Sequence, residues 1–172
     1  LATMIGLSML SGMRLGEQRA LTWGAIDFVT HSIAVTKSLR ANNVLAKPKS
    51  EAGIRSIPIS SALVKMLQET RKAAKFSGVA DAVFANSLGN ATDPGTITRH
   101  WIKLYDEAIA TWPKGQPTPP RPRWHDLRHF CTSVWLESGM QPKAVQSFIG
   151  HETIDMTMRI YAHIFENAEM NG

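Results

Sequence analysis

Apolar positions recur at helical spacing near both ends of the chain and alternate in between. Leu1, Ile5 and Met9 are four apart and share one helical face, until Ser11-Gly12 interrupts the run. A second helical stretch follows from about Arg14 to Leu21, which sets Arg14 at a helix junction, where a side chain can be aimed into a cleft. Ser32–Lys37, Val44–Lys47 and Ile54–Ile59 alternate β-branched with other residues and are separated by Asn- and Gly-containing turns, which predicts three short strands. Ser60 or Ser61 can cap a helix through about Ala74, and Asp81–Ala85 reads as an isolated strand.

Thr96 to about Ala110 reads as a helix, with Ile97, Trp101, Leu104 and Ala108 on one side. Residues 111–123 then hold five of the nine prolines, which imposes a loop. From His125 to about Ser138 the pattern is again helical. Leu127, Phe130, Cys131, Val134 and Trp135 fall on the spacing of a buried stripe, with His125 and Arg128 beside it. Pro142 opens a short helix carrying Val145, Phe148 and Ile149, and Gly150 closes it. A last helix spans about Thr153 to Phe165. The sum is an α+β chain, mainly α, with a small antiparallel sheet, forming one domain over residues 1–172.

Composition narrows the classes. Hydrophobic residues make up 44% of the 172, enough for one sizeable core and too many for a disordered chain. No apolar run approaches the ~20 residues of a membrane span. Neither a secretory leader nor a second cysteine beside Cys131 points to an oxidising compartment, so a cytosolic protein is expected. The start at Leu1, inside an apolar helical run, reads as a fragment that lacks its natural N-terminal part. The formal net charge is +5, unevenly spread. From Lys37 to Lys75 nine basic residues face only two acids, Glu51 and Glu69, whereas beyond Lys143 one arginine faces four acids. A basic middle of this kind suits a polyanion such as DNA or RNA.

The segment Trp124-His125-Asp126-Leu127-Arg128-His129 carries the strongest chemistry. On a helix, His125 and Arg128 are three apart and project together. Arg offers a permanently charged fork that matches phosphate oxygens, and His donates a hydrogen bond or exchanges a proton near neutral pH. Together they can grip a phosphodiester and stabilise the charge of its transition state. His125 and His129 also have the i, i+4 spacing of metal ligands, but no glutamate follows His125 and no ligand cluster lies nearby. No metal or other cofactor is therefore expected, and His129 reads as a structural histidine bonded within the core.

His-x-x-Arg-His resembles the central box of the tyrosine recombinases, the phage integrase family, and the family's other signatures occur in order. Ser11-Gly-Met-Arg-Leu-Gly-Glu17 resembles the first box, with Arg14 as its arginine. Pro48 to Pro58 (PKSEAGIRSIP) resembles the β-hairpin with the catalytic lysine, which would be Lys49; Lys-Ser stands where Lys-Thr is usual, so Lys47 is a rival. Ile149 to His163 (IGHETIDMTMRIYAH) resembles the third box, supplying His151 and, ten residues on, Tyr161. The resemblance covers nearly the whole chain and implies the family's helical catalytic domain with a small three-stranded antiparallel sheet.

It also implies a DNA strand transferase that needs neither metal nor ATP. Arg14 and Arg128 would clamp the non-bridging oxygens, His125 and His151 would add hydrogen bonds, and Lys49 would protonate the leaving 5′-oxygen. Tyr161 would be the nucleophile of a 3′-phosphotyrosine intermediate; taken alone, it lies on an apolar stripe with Ile154, Met158 and Phe165 and reads as a core tyrosine. Glu17 would orient Arg14 or nearby backbone. Trp23 and Asp27 read as structural. Arg40, Arg55, Arg121 and Arg123 are candidate phosphate contacts. The partners implied are double-stranded DNA and further copies of the chain, a tetramer on DNA and a monomer when free, in a bacterial cytoplasm. The leading reading is an integrase or other site-specific recombinase of a phage or mobile element. A type IB topoisomerase-like nicking-closing enzyme and a catalytically inactive DNA-binding module are the alternatives. The family's N-terminal DNA-clamping domain is expected to be missing.

Overall fold

A computed structural model describes residues 1–46, 53–160 and 162. Helix α1 (Ala2–Ser11) ends where Gly12 adopts φ 64° and its amide bonds to Ser8 O. Helix α2 (Leu15–Arg19) follows directly. The chain then passes through a 3-10 turn (Trp23–Ala25) into strands β1 (Ile26–Asp27), β2 (Ser32–Val35), β3 (Ser38–Leu39), β4 (Leu45–Ala46) and β5 (Arg55–Pro58). Helices α3 (Ser61–Ala73), α4 (Pro94–Ala110), α5 (Asp126–Glu137) and α6 (Pro142–Ile149) complete the labelled elements, and residues 154–160 are also helical.

The fold is the mainly helical α+β architecture expected, with a three-stranded antiparallel sheet in the order β1-β2-β5. Its membership differs from the expectation in one respect. Residues 45–46 do not join the sheet; they pair with β3 in a separate two-stranded ribbon. The third sheet strand is instead β1, whose two residues are too few to show an alternation. Asp81–Ala85 forms no strand either. It makes single bridges, Thr22 to Ala82 and Ala85 to Ala91, which tuck Val83 into the core.

Among the described residues, two hydrophobic clusters hold the fold. The larger joins Leu7, Met13, Leu21, Trp23, Ile33, Ile57, Leu63 and Leu67, so α1, the sheet and α3 share it. The smaller joins Cys131, Leu136, Val145 and Ile149, with Ile160 packed on its edge. Trp135 packs against both. Trp23 and Asp27 serve the fold, as expected. The Trp23 indole donates to Phe76 O at 3.1 Å, and Asp27 accepts from the Val29 and Thr30 amides.

The buried faces of two helices differ from the sequence expectation. On α5 the inward residues are Leu127, Arg128, Cys131, Thr132 and Leu136, while Phe130 and Val134 are 49% and 40% exposed. The helix is rotated because Arg128 must reach Gly12 O and Cys131 fills the space beside Gly12. Arg128 thus lies within the packed seam, not beside it. On α4, Ile97 is buried and Trp101 and Tyr105 are half-buried, whereas Leu104 and Ala108 face solvent. Tyr105 turns inward because its hydroxyl donates to Pro119 O, and Trp101 likewise donates to Pro122 O, so the proline loop is tied to α4.

Candidate active site

Four of the expected site residues stand at helix ends. Arg14 is the N-cap of α2, His125 the N-cap of α5, Arg128 lies in the first turn of α5, and His151 follows the left-handed Gly150 that ends α6. The termini converge because the hinge at Gly12 admits nothing larger. A Cβ there would lie 2.2 Å from Ile149 Cδ1 and 3.5 Å from Cys131 Sγ. The α1–α2 junction, α5 and α6 therefore meet at one glycine.

Hydrogen bonds fix the arrangement. Arg128 Nη1 donates to Gly12 O at 2.6 Å. Arg14 Nη2 donates to Gly150 O at 2.9 Å, one residue from His151. His151 Nδ1 bonds Thr157 Oγ1 at 2.9 Å, and Gln146 donates to His151 O. Glu17 does what was expected of it and more. Its carboxylate accepts from the Arg14 amide (2.8 Å) and Arg14 Nη1 (2.9 Å), and also from Arg55 Nη1 and Nη2 (3.0 and 2.9 Å).

The site is short of negative charge. Arg14, Arg55 and Arg128 surround one buried carboxylate, Glu17. Burial pushes Glu17 up, but the bonds and charges of Arg55 and Arg14 outweigh it and hold the carboxyl below its usual range. Arg128 is 2% exposed, and its Nη2 is buried without a hydrogen-bond partner among the described residues. Burial first, then the neighbouring Arg14, pushes this guanidinium down to about 9, which leaves it cationic at neutral pH. Burial also pulls His151 down to about 4, reinforced by Arg128 and Arg14, so its ring is neutral. His125, more open to solvent, is also lowered, by burial first and then by the neighbouring His129, Arg128 and Arg14. Neutral imidazoles beside two guanidiniums can donate or accept a proton while the arginines keep their charge.

Lys49, its rival Lys47 and Tyr161 lie outside the described residues. Among the described residues, His129 makes no ring hydrogen bond, and its ring meets that of His125 edge-on at 4.8 Å. Arg40 and Arg121 are exposed. Arg123 is exposed as well and paired with Asp126 at 2.9 Å. Arg55 departs from the phosphate-contact expectation: its side chain is 4% exposed and spent on Glu17, Gly53 O and Phe148 O. Sequence reasoning also missed Arg19, a buried guanidinium that holds Thr92 O, Arg40 O and Asn43 Oδ1. No three His, Cys, Asp or Glu side chains cluster among the described residues. None of the described helices is long and apolar enough to cross a membrane.

The domain is helical with a small antiparallel sheet and gathers two arginines and two histidines from three helix ends. The chain belongs to the phage integrase family, whose profile matches residues 1–168. Among curated proteins it is 25% identical to a XerC-like tyrosine recombinase of Caldanaerobacter subterraneus subsp. tengcongensis, over 96% of this chain and 46% of that protein. It is 27% identical to the ICEBs1 integrase of Bacillus subtilis, over 97% of this chain and 46% of the relative. Among solved structures, the Tn1549 transposon integrase in complex with circular intermediate DNA matches with a TM-score of 0.82 and 26% identity, over 98% of this chain and 58% of that one. The chain thus spans about half the length of the curated relatives it matches.

Proposed function

We propose that the protein is a site-specific DNA recombinase that cleaves and rejoins strands through a 3′-phosphotyrosine. The carrying observation is the buried Arg128 Nη2, which has no partner among the described residues, beside Arg14 and neutral His151. An orphaned cationic donor amid surplus positive charge calls for an anion. A scissile phosphodiester supplies one, and its pentacoordinate transition state supplies more negative charge than its ground state. Relatives named as recombinases and integrases, and a structural neighbour solved with DNA, support the same reading.

In the reaction the Tyr161 hydroxyl gives its proton to a neutral imidazole of the site as its oxygen attacks phosphorus, and the 5′-oxygen leaves with a proton from Lys49. Arg14 and Arg128 balance the charge on the non-bridging oxygens, and His125 and His151 hydrogen-bond them. The new ester keeps the energy of the broken one, so attack by a second 5′-hydroxyl restores a DNA strand without ATP. Strand exchange between two sites calls for several copies of the chain, a tetramer on double-stranded DNA, in a cytoplasm where DNA is accessible.

A nicked DNA that loses its 5′-hydroxyl fragment on cleavage tests this. The protein is expected to be trapped covalently on it, in the presence of EDTA as well as without. Tyr161→Phe is expected to abolish the adduct, and an adduct that persists in that variant would refute the nucleophile. Lys49→Ala and Lys47→Ala separate the two lysines: a 5′-thiolate leaving group should rescue only the variant that has lost the acid.

A further inference from the structure

Glu17 stands between two guanidiniums and treats them differently. With Arg55 it makes the fork-to-fork pair, Nη1 to Oε1 and Nη2 to Oε2. With Arg14 it makes one side-chain bond, Nη1 to Oε1, plus the Arg14 amide bond to Oε2. Both carboxylate oxygens are saturated. Arg14 keeps Nη2 on Gly150 O and is 37% exposed, while Arg55 is sealed at 4%.

A carboxylate next to a single arginine takes the fork bidentately. With Arg55 absent, Glu17 would be free to close on Arg14 in that way. It would draw off the charge that Arg14 offers to a phosphate and swing its fork from Gly150. Resting on the DNA-cleavage reading above, we infer that Arg55 is a positioning residue: by occupying the fork of Glu17 it keeps Arg14 singly bonded, charged and aimed at the scissile phosphate. Its third attachment, Nε to Phe148 O at 2.6 Å, holds the end of α6 that precedes Gly150 and His151.

The test removes Arg55 and then removes the charge it restrains. Arg55→Met should slow single-turnover trapping on the nicked DNA by at least about tenfold, equal to about 1.4 kcal/mol at the transition state. Adding Glu17→Gln to Arg55→Met should recover much of that rate, because the glutamine cannot neutralise Arg14. Arg55→Lys, which keeps charge but lacks the planar fork, should fall between. A residue with only a scaffolding role gives the opposite order, with the double variant as slow as the single or slower, and that result overturns the inference. Arg55→Lys at the wild-type rate overturns it too, and covers the case in which Arg55→Met does not fold. If the wild-type protein is never trapped, the DNA-cleavage reading fails by itself. Affinity for inorganic phosphate then reads the same three variants: it should drop in Arg55→Met and return in the double variant, and an affinity that does not return sinks the inference.

Discussion

His151 shows how burial decides chemistry at a single side chain. Its ring sits at about 4 in the fold against an ordinary 6.5. As pH falls, the unfolded chain therefore takes up the proton first, and the folded state loses ground. Stability should decline between about pH 6.5 and about pH 4 and level off below, by up to about 2–3 kcal/mol for this group, at about 1.4 kcal/mol per unit. Urea titrations across that range check the sign. His151→Gln should flatten part of the slope, and an unchanged slope would mean that the ring is not desolvated as described. Glu17, also depressed, adds loss of the same sign at lower pH. Four of the site residues named from sequence fall into one constellation, because a motif fixes their local geometry. Arg55 was misplaced, although its own strand held the clue. It is two residues from Ile57, and alternation puts both on the same face; Ile57 is fully buried.

Among the elements, α5 marks the limit of reading periodicity. Counting apolar residues places Phe130 and Val134 inside, yet the helix turns Arg128 and Thr132 inward instead. A hydrophobicity pattern cannot value an arginine as core, since what draws it in is a carbonyl on a distant segment. The two faces can be told apart by substitution. Val134→Ser should cost no more than about 0.5 kcal/mol, as for an exposed site, whereas Leu136→Ala should cost about 2–5 kcal/mol. Chemical denaturation measures both, and equal costs would contradict the observed rotation. The caps were legible for a simpler reason: Ser60 accepts from the Leu63 amide through its hydroxyl, and Gly150 takes φ 74° because it has no Cβ. The two-residue strands β1 and β3 were not legible, being too short to carry a pattern.

For the whole molecule, the two cores join where α1 packs on α5 and α6 packs on β5. Trp135 touches both, and the candidate site residues are distributed around that joint. Trp135→Ala should lower stability by about 3–5 kcal/mol at most, the ring being only partly buried. It should also broaden or split the thermal transition, because a side chain shared by both cores is lost. Calorimetry would show this, and a single sharp transition at an unchanged temperature would refute the coupling.

The carbonyl of Gly12 has a consequence of its own. It solvates Arg128 as a water molecule would, with a dipole and no counter-charge. All three guanidiniums around the hinge lean on such main-chain oxygens, Arg14 on Gly150 O and Arg55 on Phe148 O and Gly53 O, and they share one carboxylate, Glu17. Their potential is therefore left standing, directed at whatever enters. The resting fold tolerates a repulsion that an incoming polyanion would relieve, so occupancy itself should tighten the junction of α1, α5 and α6.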